Sequence, residues 1–362
     1  MPSTRPPDYT GAGLVNLAAE LETRLGSRPP APGLTDSALL PEAATYVLVL
    51  FDGLGVGQLS HPAAAGLNSS LAATLDAPFP TTTTVSLATI ATGLPPGQHG
   101  LLGYQLWLPE LQVVANTIKW TTLWGERVDY DTGGLLPETC WERLTQAGRE
   151  PITVQPGNFR GSALSLALYR GCRFEPAFGA EEIVTATLDL AGQPGRFIFT
   201  YVPHVDFAAH VYGQDSPEYE RALATVNAIW EELGRRIPAT ATLLGTADHG
   251  HVDFLFERQI RLPKEIEVDH TLYGDSRVMF VKGEPIPTTG LPATWIPAAG
   301  LEDWWGPGPR HPSFAGRAPD GVLVADDDAL ILHSHSDKRL VGHHGGLTDA
   351  ERQVPLLIGA QG

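Results

Sequence analysis

The chain has 362 residues, 43% hydrophobic and 18% charged, which is enough apolar material for one large domain or two and too much for a disordered chain. Its 24 Lys and Arg against 41 Asp and Glu leave a formal charge of −17. Such a surface repels a polyanion, which argues against a long nucleic acid as partner, whereas a small phosphate compound is compatible wherever metal ions reverse the local sign.

Met1–Pro7 lacks the apolar stretch of a signal peptide, and no apolar run is long enough to cross a bilayer. With only two cysteines, Cys140 and Cys172, there is no disulfide framework. A cytoplasmic protein that does not enter a membrane is expected. Leu14, Leu17, Ala18, Leu21 and Leu25 recur at helical spacing, and a Pro-rich stretch from Arg28 to Gly33 follows. Residues 1–40 therefore read as a helix and linker packed on the core.

Tyr46–Phe51 is a continuous apolar run of the kind found in strands buried on both faces. Arg196–Val202 and Thr240–Thr246 repeat it, and Pro151–Val154 and Val354–Ile358 are weaker strand patterns. Helical patterns lie between them at Pro137–Ala147, Ala180–Leu190 and Pro217–Arg236. This alternation predicts an α/β fold with a mainly parallel central sheet flanked by helices. Residues 41–253 and 341–362 would form that core. Residues 254–340 hold Pro/Gly clusters, Trp304-Trp305 and short strand patterns at Arg277–Val281 and Gly321–Val324, and read as an insertion or small cap.

Acids and histidines fall just after the strand patterns: Asp52 after the first, Asp206 and His210 after the second, Asp248-His249 after the third. His343-His344 precede the last apolar run. Ligands in open α/β sheets bind outside the carboxyl ends of the strands, so these side chains are candidates for one site. Taken singly, Asp52 also reads as a helix N-cap, Asp248-His249-Gly250 as a turn and His344 as a structural histidine. Carboxylate and imidazole together suit zinc or manganese. Asp206 and His210, four apart, share one face of a helical turn. Thr81–Thr84 precede a helical run that ends at Gly93, placing hydroxyls where free N–H groups favour a phosphate. An N-cap is the alternative there.

Phe51-Asp52-Gly53, the threonines before Thr92-Gly93, Asp206-x-x-x-His210, Asp248-His249-Gly250 and His344-Gly345, in this order, resemble the type I phosphodiesterase/nucleotide pyrophosphatase family of the alkaline phosphatase superfamily. The resemblance implies an alkaline-phosphatase-like fold and two zinc ions, manganese being the alternative. It implies one ion on Asp206, His210 and His344, with His343 as alternative for the last, and another on Asp52, Asp248 and His249. It further implies a nucleophilic threonine forming a phospho-threonine, which spacing from Thr92 places at Thr83, with Thr82 and Thr84 as neighbouring registers. Thr84, through its backbone N–H, and Ser86 are the substrate-binding candidates. Where the family commonly has Asn, this chain has Ser86, which leaves the substrate subclass open.

The expected activity is a two-zinc phosphodiesterase acting on a small phosphate ester or nucleotide. The alternatives are a phosphomonoesterase, a phosphonate hydrolase, or an inactive metal-binding interaction module. His251 is expected beside the metal ligands, with direct ligation the alternative, and Trp304-Trp305 either against a nucleobase or in loop packing.

Overall fold

A computed structural model describes residues 2–360. Seven strands form the main sheet: β1 (Thr45–Phe51), β2 (Leu71–Asp76), β3 (Glu150–Pro156), β4 (Arg173–Ala177), β5 (Arg196–Val202), β6 (Ala241–Thr246) and β7 (Gln353–Ile358). Their order is β2-β7-β6-β1-β5-β3-β4. β1 pairs in parallel with β5 and β6, and β3 in parallel with β5 and β4. Only β7 runs against its neighbours. The sheet is therefore mainly parallel, as the apolar runs predict. β1 lies at its centre with every residue buried, which is why its sequence shows no polar alternation.

Side chains alternate between the two sheet faces. On one face, α1 (Leu14–Arg24), α2 (Thr83–Thr92) and α3 (Cys140–Gln146) pack through Leu17, Leu21, Ile90 and Leu144 over Leu48 and Phe197. On the other, α4 (Ala180–Ala191) and α6 (Pro217–Arg236) take Thr200 against Thr187 and Phe51 edge-on against Trp230. α6 carries its own start and stop signals. Ser216 accepts from the Tyr219 N–H, Pro217 opens the helix, acids fill the first turn and Arg235-Arg236 the last. α5 (His204–Tyr212) connects β5 to α6.

The sequence reading passes over β2 and β4. Both are edge strands, partly exposed, and β4 contains Pro176, so neither shows an apolar run. A three-stranded antiparallel sheet within 105–122 also escapes it. Within 254–340, the strands Thr271–Gly274, Val278–Lys282, Gly321–Ala325 and Ala293–Pro297 make an antiparallel sheet in that spatial order. Phe280 on one face meets Phe79 of the main core, while Met279, Val281 and Leu323 on the other form a separate cluster. Among the described residues no helix is long and apolar enough to cross a membrane.

Candidate metal centre

The parallel strands deliver their carboxyl ends to one edge of the sheet, and β7 enters from that edge because it runs the other way. Asp52 follows β1, Asp248 and His249 follow β6, and Asp206 and His210 lie four apart on α5. The loop before β7 brings His343 and His344 back to the same edge. Gly53 permits the closeness, with φ +75° and no room for a Cβ, which would lie 2.9 Å from both the Asp206 Cα and the His251 ring.

Two groups of donors result. Ligand atoms of Asp52, Asp248 and His249 lie within 4.8 Å of one another, as do those of Asp206, His249, His251 and His344. His210 adjoins the second group, its Nε2 3.3 Å from Asp206 Oδ1. The His249 and His344 rings stack 3.6 Å apart along the seam between the groups.

The donor set fits cations atom by atom. Asp248 Oδ1 accepts from the N–H groups of Gly53 and His249, at 3.0 and 3.1 Å. Asp52 Oδ2 accepts from the Tyr201 hydroxyl. The other oxygens, Asp248 Oδ2 and Asp52 Oδ1, are buried without a hydrogen-bond partner and lie 3.4 and 3.6 Å from His249 Nε2. Three histidines are oriented alike. Nδ1 of His210 meets the Gly342 carbonyl at 2.7 Å, that of His249 the Gly250 carbonyl at 3.1 Å, and that of His344 the Thr81 carbonyl at 2.8 Å. A carbonyl only accepts, so Nδ1 holds the proton and Nε2 keeps its lone pair for a metal.

Charge balance points the same way. Burial, then the Asp206 and Asp248 charges, pushes the Asp52 carboxyl well above the usual range. Burial, then the neighbouring rings, holds His344 neutral. Crowded carboxylates facing bare ring nitrogens repel unless a cation lies between them.

Of the four threonines, Thr83 opens α2, and its Oγ1 lies 3.2 Å from His249 Nε2. Thr81 is tied to the Gly346 carbonyl and the Gly345 N–H, and Thr84 is fully buried. No side chain caps α2; the Val85 and Ser86 N–H groups bond to the Thr82 carbonyl, and those of Thr83 and Thr84 stand at the open start of the helix. Ser86, expected to reach a substrate, is buried and donates to the Asp248 carbonyl at 2.7 Å, so its hydroxyl holds the Asp248 loop. His343 Nε2 meets the Leu340 carbonyl at 3.3 Å instead of Asp206. Trp304 and Trp305 are buried edge-on against Phe79 and serve the core.

Two recesses meet at Thr83. One, of about 340 Å³, is lined by Tyr104, Asp206, His210, Asp275, His333 and Asp337 among others, and has no lysine or arginine among its described lining residues. The other, of about 90 Å³, is mostly apolar, with Leu87, Phe159, Leu168, Tyr169 and Tyr201. The first recess could not be read from the sequence, because Tyr104, Asp275 and His333 belong to no motif and come from three separate segments.

The sequence matches the type I phosphodiesterase / nucleotide pyrophosphatase family over residues 46–299. The chain belongs to this family. Family membership makes it a phosphoric ester hydrolase of a metal-dependent kind. Solved structures with the same fold include murine ectonucleotide pyrophosphatase/phosphodiesterase 5, 21% identical with a TM-score of 0.68, covering 86% of this chain and 87% of that one. The inactive threonine-to-alanine variant of that enzyme, in complex with AMP, is 20% identical with a TM-score of 0.68, covering 87% and 88%. Phosphonoacetate hydrolase from Sinorhizobium meliloti 1021, in complex with phosphonoacetate, is 16% identical with a TM-score of 0.63, covering 88% and 91%. No curated protein matches the sequence.

Proposed function

We propose that the chain is a two-zinc phosphodiesterase acting on a small phosphodiester or nucleotide through Thr83. Asp206, His210 and His344 would hold one ion and Asp52, Asp248 and His249 the other, manganese being the alternative metal. Two bound cations supply the positive charge that favours a threonine alkoxide and neutralises phosphoryl oxygens. Thr83 Oγ1 bonds to phosphorus as the bond from phosphorus to the leaving oxygen breaks, and water then cleaves the phospho-threonine. The Thr84 N–H, at the open end of α2, donates to a phosphoryl oxygen in the transition state. Ser86 contributes by keeping the Asp248 loop in place.

The observation that carries the reading is the position of the Thr83 hydroxyl. It stands 3.2 Å from His249 Nε2, at an uncapped helix start, where the two recesses meet. A diester has two arms and a monoester one, so paired recesses favour a diester. The inactive threonine-to-alanine variant of the murine relative, and the AMP in its complex, support a threonine nucleophile and a nucleotide-like substrate. Apart from the proposed metal ion, the described lining of the larger recess offers Asp275 and Asp337 and no lysine or arginine to a carboxylate arm, which weighs against a phosphonoacetate-like substrate.

Zinc-loaded protein should release p-nitrophenol faster from bis(p-nitrophenyl) phosphate than from p-nitrophenyl phosphate. Thr83→Ala should abolish turnover while two zinc ions remain bound. Full activity in that variant would remove Thr83 from the mechanism. Zinc binding without hydrolysis of any ester would favour the interaction module.

A further inference from the structure

The fourth histidine of the centre differs from the other three in its hydrogen bonding. His251 is buried, its ring edge-on to His210, His249 and His344 at centroid distances of 4.7, 5.5 and 5.1 Å. Its backbone is fixed by the pairing of Val252 with His343, and its carbonyl accepts from Gln58 and Gln214. The ring has Gly53 against one edge, where an added Cβ would lie 2.9 Å from its Cδ2.

His210, His249 and His344 each place Nδ1 on a backbone carbonyl. His251 Nδ1 is buried with no partner, and its Nε2 lies 2.8 Å from Asp206 Oδ1. A neutral imidazole holds one proton. On Nδ1, that proton would be buried without an acceptor. On Nε2, it is donated to a carboxylate oxygen and only a lone pair is left over. The second state is the less costly one, because an unpaired buried N–H loses its full hydration.

Resting on the metal assignment proposed above, we infer that His251 is a positioning residue. Its Nε2–H donates to Asp206 Oδ1 and fixes the carboxylate that would share a cation with His210 and His344. The ring itself is not a ligand. The same N–H is the one proton donated to Asp206 from this cluster, since Nε2 of His210 and of His344 carry lone pairs. Asp206 is thereby held in a defined orientation. Loss of a hydrogen bond to a metal-binding side chain lowers metal affinity about 10- to 100-fold, so the effect is measurable without reference to turnover.

The test compares His251→Gln, whose side-chain amide nitrogen can take the place of Nε2–H, with His251→Phe, which fills the space but donates nothing. Zinc affinities come from chelator competition, and cobalt(II) spectra report ligand number. His251→Gln should keep both zinc ions within about threefold of wild-type affinity, with an unchanged cobalt spectrum. His251→Phe should weaken one ion about 10- to 100-fold and leave the other. In the zinc-loaded wild-type protein, ¹⁵N-histidine correlation spectra should show His251 Nε2 bonded to hydrogen, a measurement that does not depend on either variant folding. Equal losses in both variants with an altered cobalt spectrum would make His251 a ligand and overturn the inference. So would a wild-type Nε2 without its proton, or unchanged affinity in His251→Phe. Wild-type protein that binds fewer than two zinc ions would instead overturn the metal assignment.

Discussion

Glu351 lies behind the metal centre, and replacing it with Gln tests how the loop before β7 is held. Its Oε1 accepts from the Gly346 N–H at 2.8 Å and its Oε2 from the Thr348 hydroxyl at 2.7 Å, which shapes the turn just after His344. Its backbone carbonyl accepts from Gly250 N–H at 2.9 Å, which ties in the Asp248-His249 loop. The carboxylate pairs with Arg277 at 3.1 Å, both side chains being essentially inaccessible. Glu351→Gln removes the negative charge and leaves a buried guanidinium without its counter-ion. Breaking a buried pair in this way costs about 3–5 kcal/mol. Arg277 still reaches the carbonyls of Asp326 and Ala329 and lies 4.8 Å from the Phe254 ring centre, so the lower end, about 3 kcal/mol, is expected. Urea unfolding of metal-free protein measures the loss from the transition midpoint and slope. Arg277→Met combined with Glu351→Gln should cost less than the sum of the two single changes, because the stranded charge is gone. A loss below about 1 kcal/mol for Glu351→Gln, or additivity in the double variant, would refute the account.

Two further outcomes concern pH and metal. Burial holds the His99 imidazole down at about 3, with Nε2 on the Thr89 hydroxyl and Nδ1 accepting from the Leu101 N–H. The unfolded chain takes up that proton near pH 6.5 and the native state does not, so stability falls as pH drops from about 6.5 towards 3. His99→Gln should remove about 1.4 kcal/mol per pH unit from that slope between pH 6 and 4, and an unchanged slope would reject the assignment. Chelation of the bound metal should lower the melting temperature by more at pH 8 than at pH 5.5. Without metal, the raised Asp52 carboxyl makes the native state lose stability as pH rises, and a bound cation offsets this. Equal shifts at both pH values would count against Asp52 as a ligand.

Much of the fold could be read directly. β1, β5 and β6 are buried on both faces, so their sequences are unbroken apolar runs, and α6 carries start and stop signals within the chain itself. β2 and β4 could not be found this way. An edge strand draws its order from one neighbour, and its half-exposed residues show no pattern.

The site divides along similar lines. Asp52, Asp206, His210, Asp248 and His249 were candidates from the sequence because they follow parallel strands that must end at one edge, and His344 because it precedes the last apolar run. Position in the chain cannot say what each atom faces. The approach of the Thr83 hydroxyl to His249, Ser86 turned to the Asp248 carbonyl, and the buried Glu351–Arg277 pair came only from packing.

Residue type and spacing determined which chemistry the chain can carry, since a carboxylate or an imidazole keeps its bonding capacity in any fold. Tertiary structure alone decided which nitrogen of each ring carries the proton and which oxygen of each acid is left over. Those choices depend on carbonyls and N–H groups up to 263 residues away in sequence, as with His344 and Thr81.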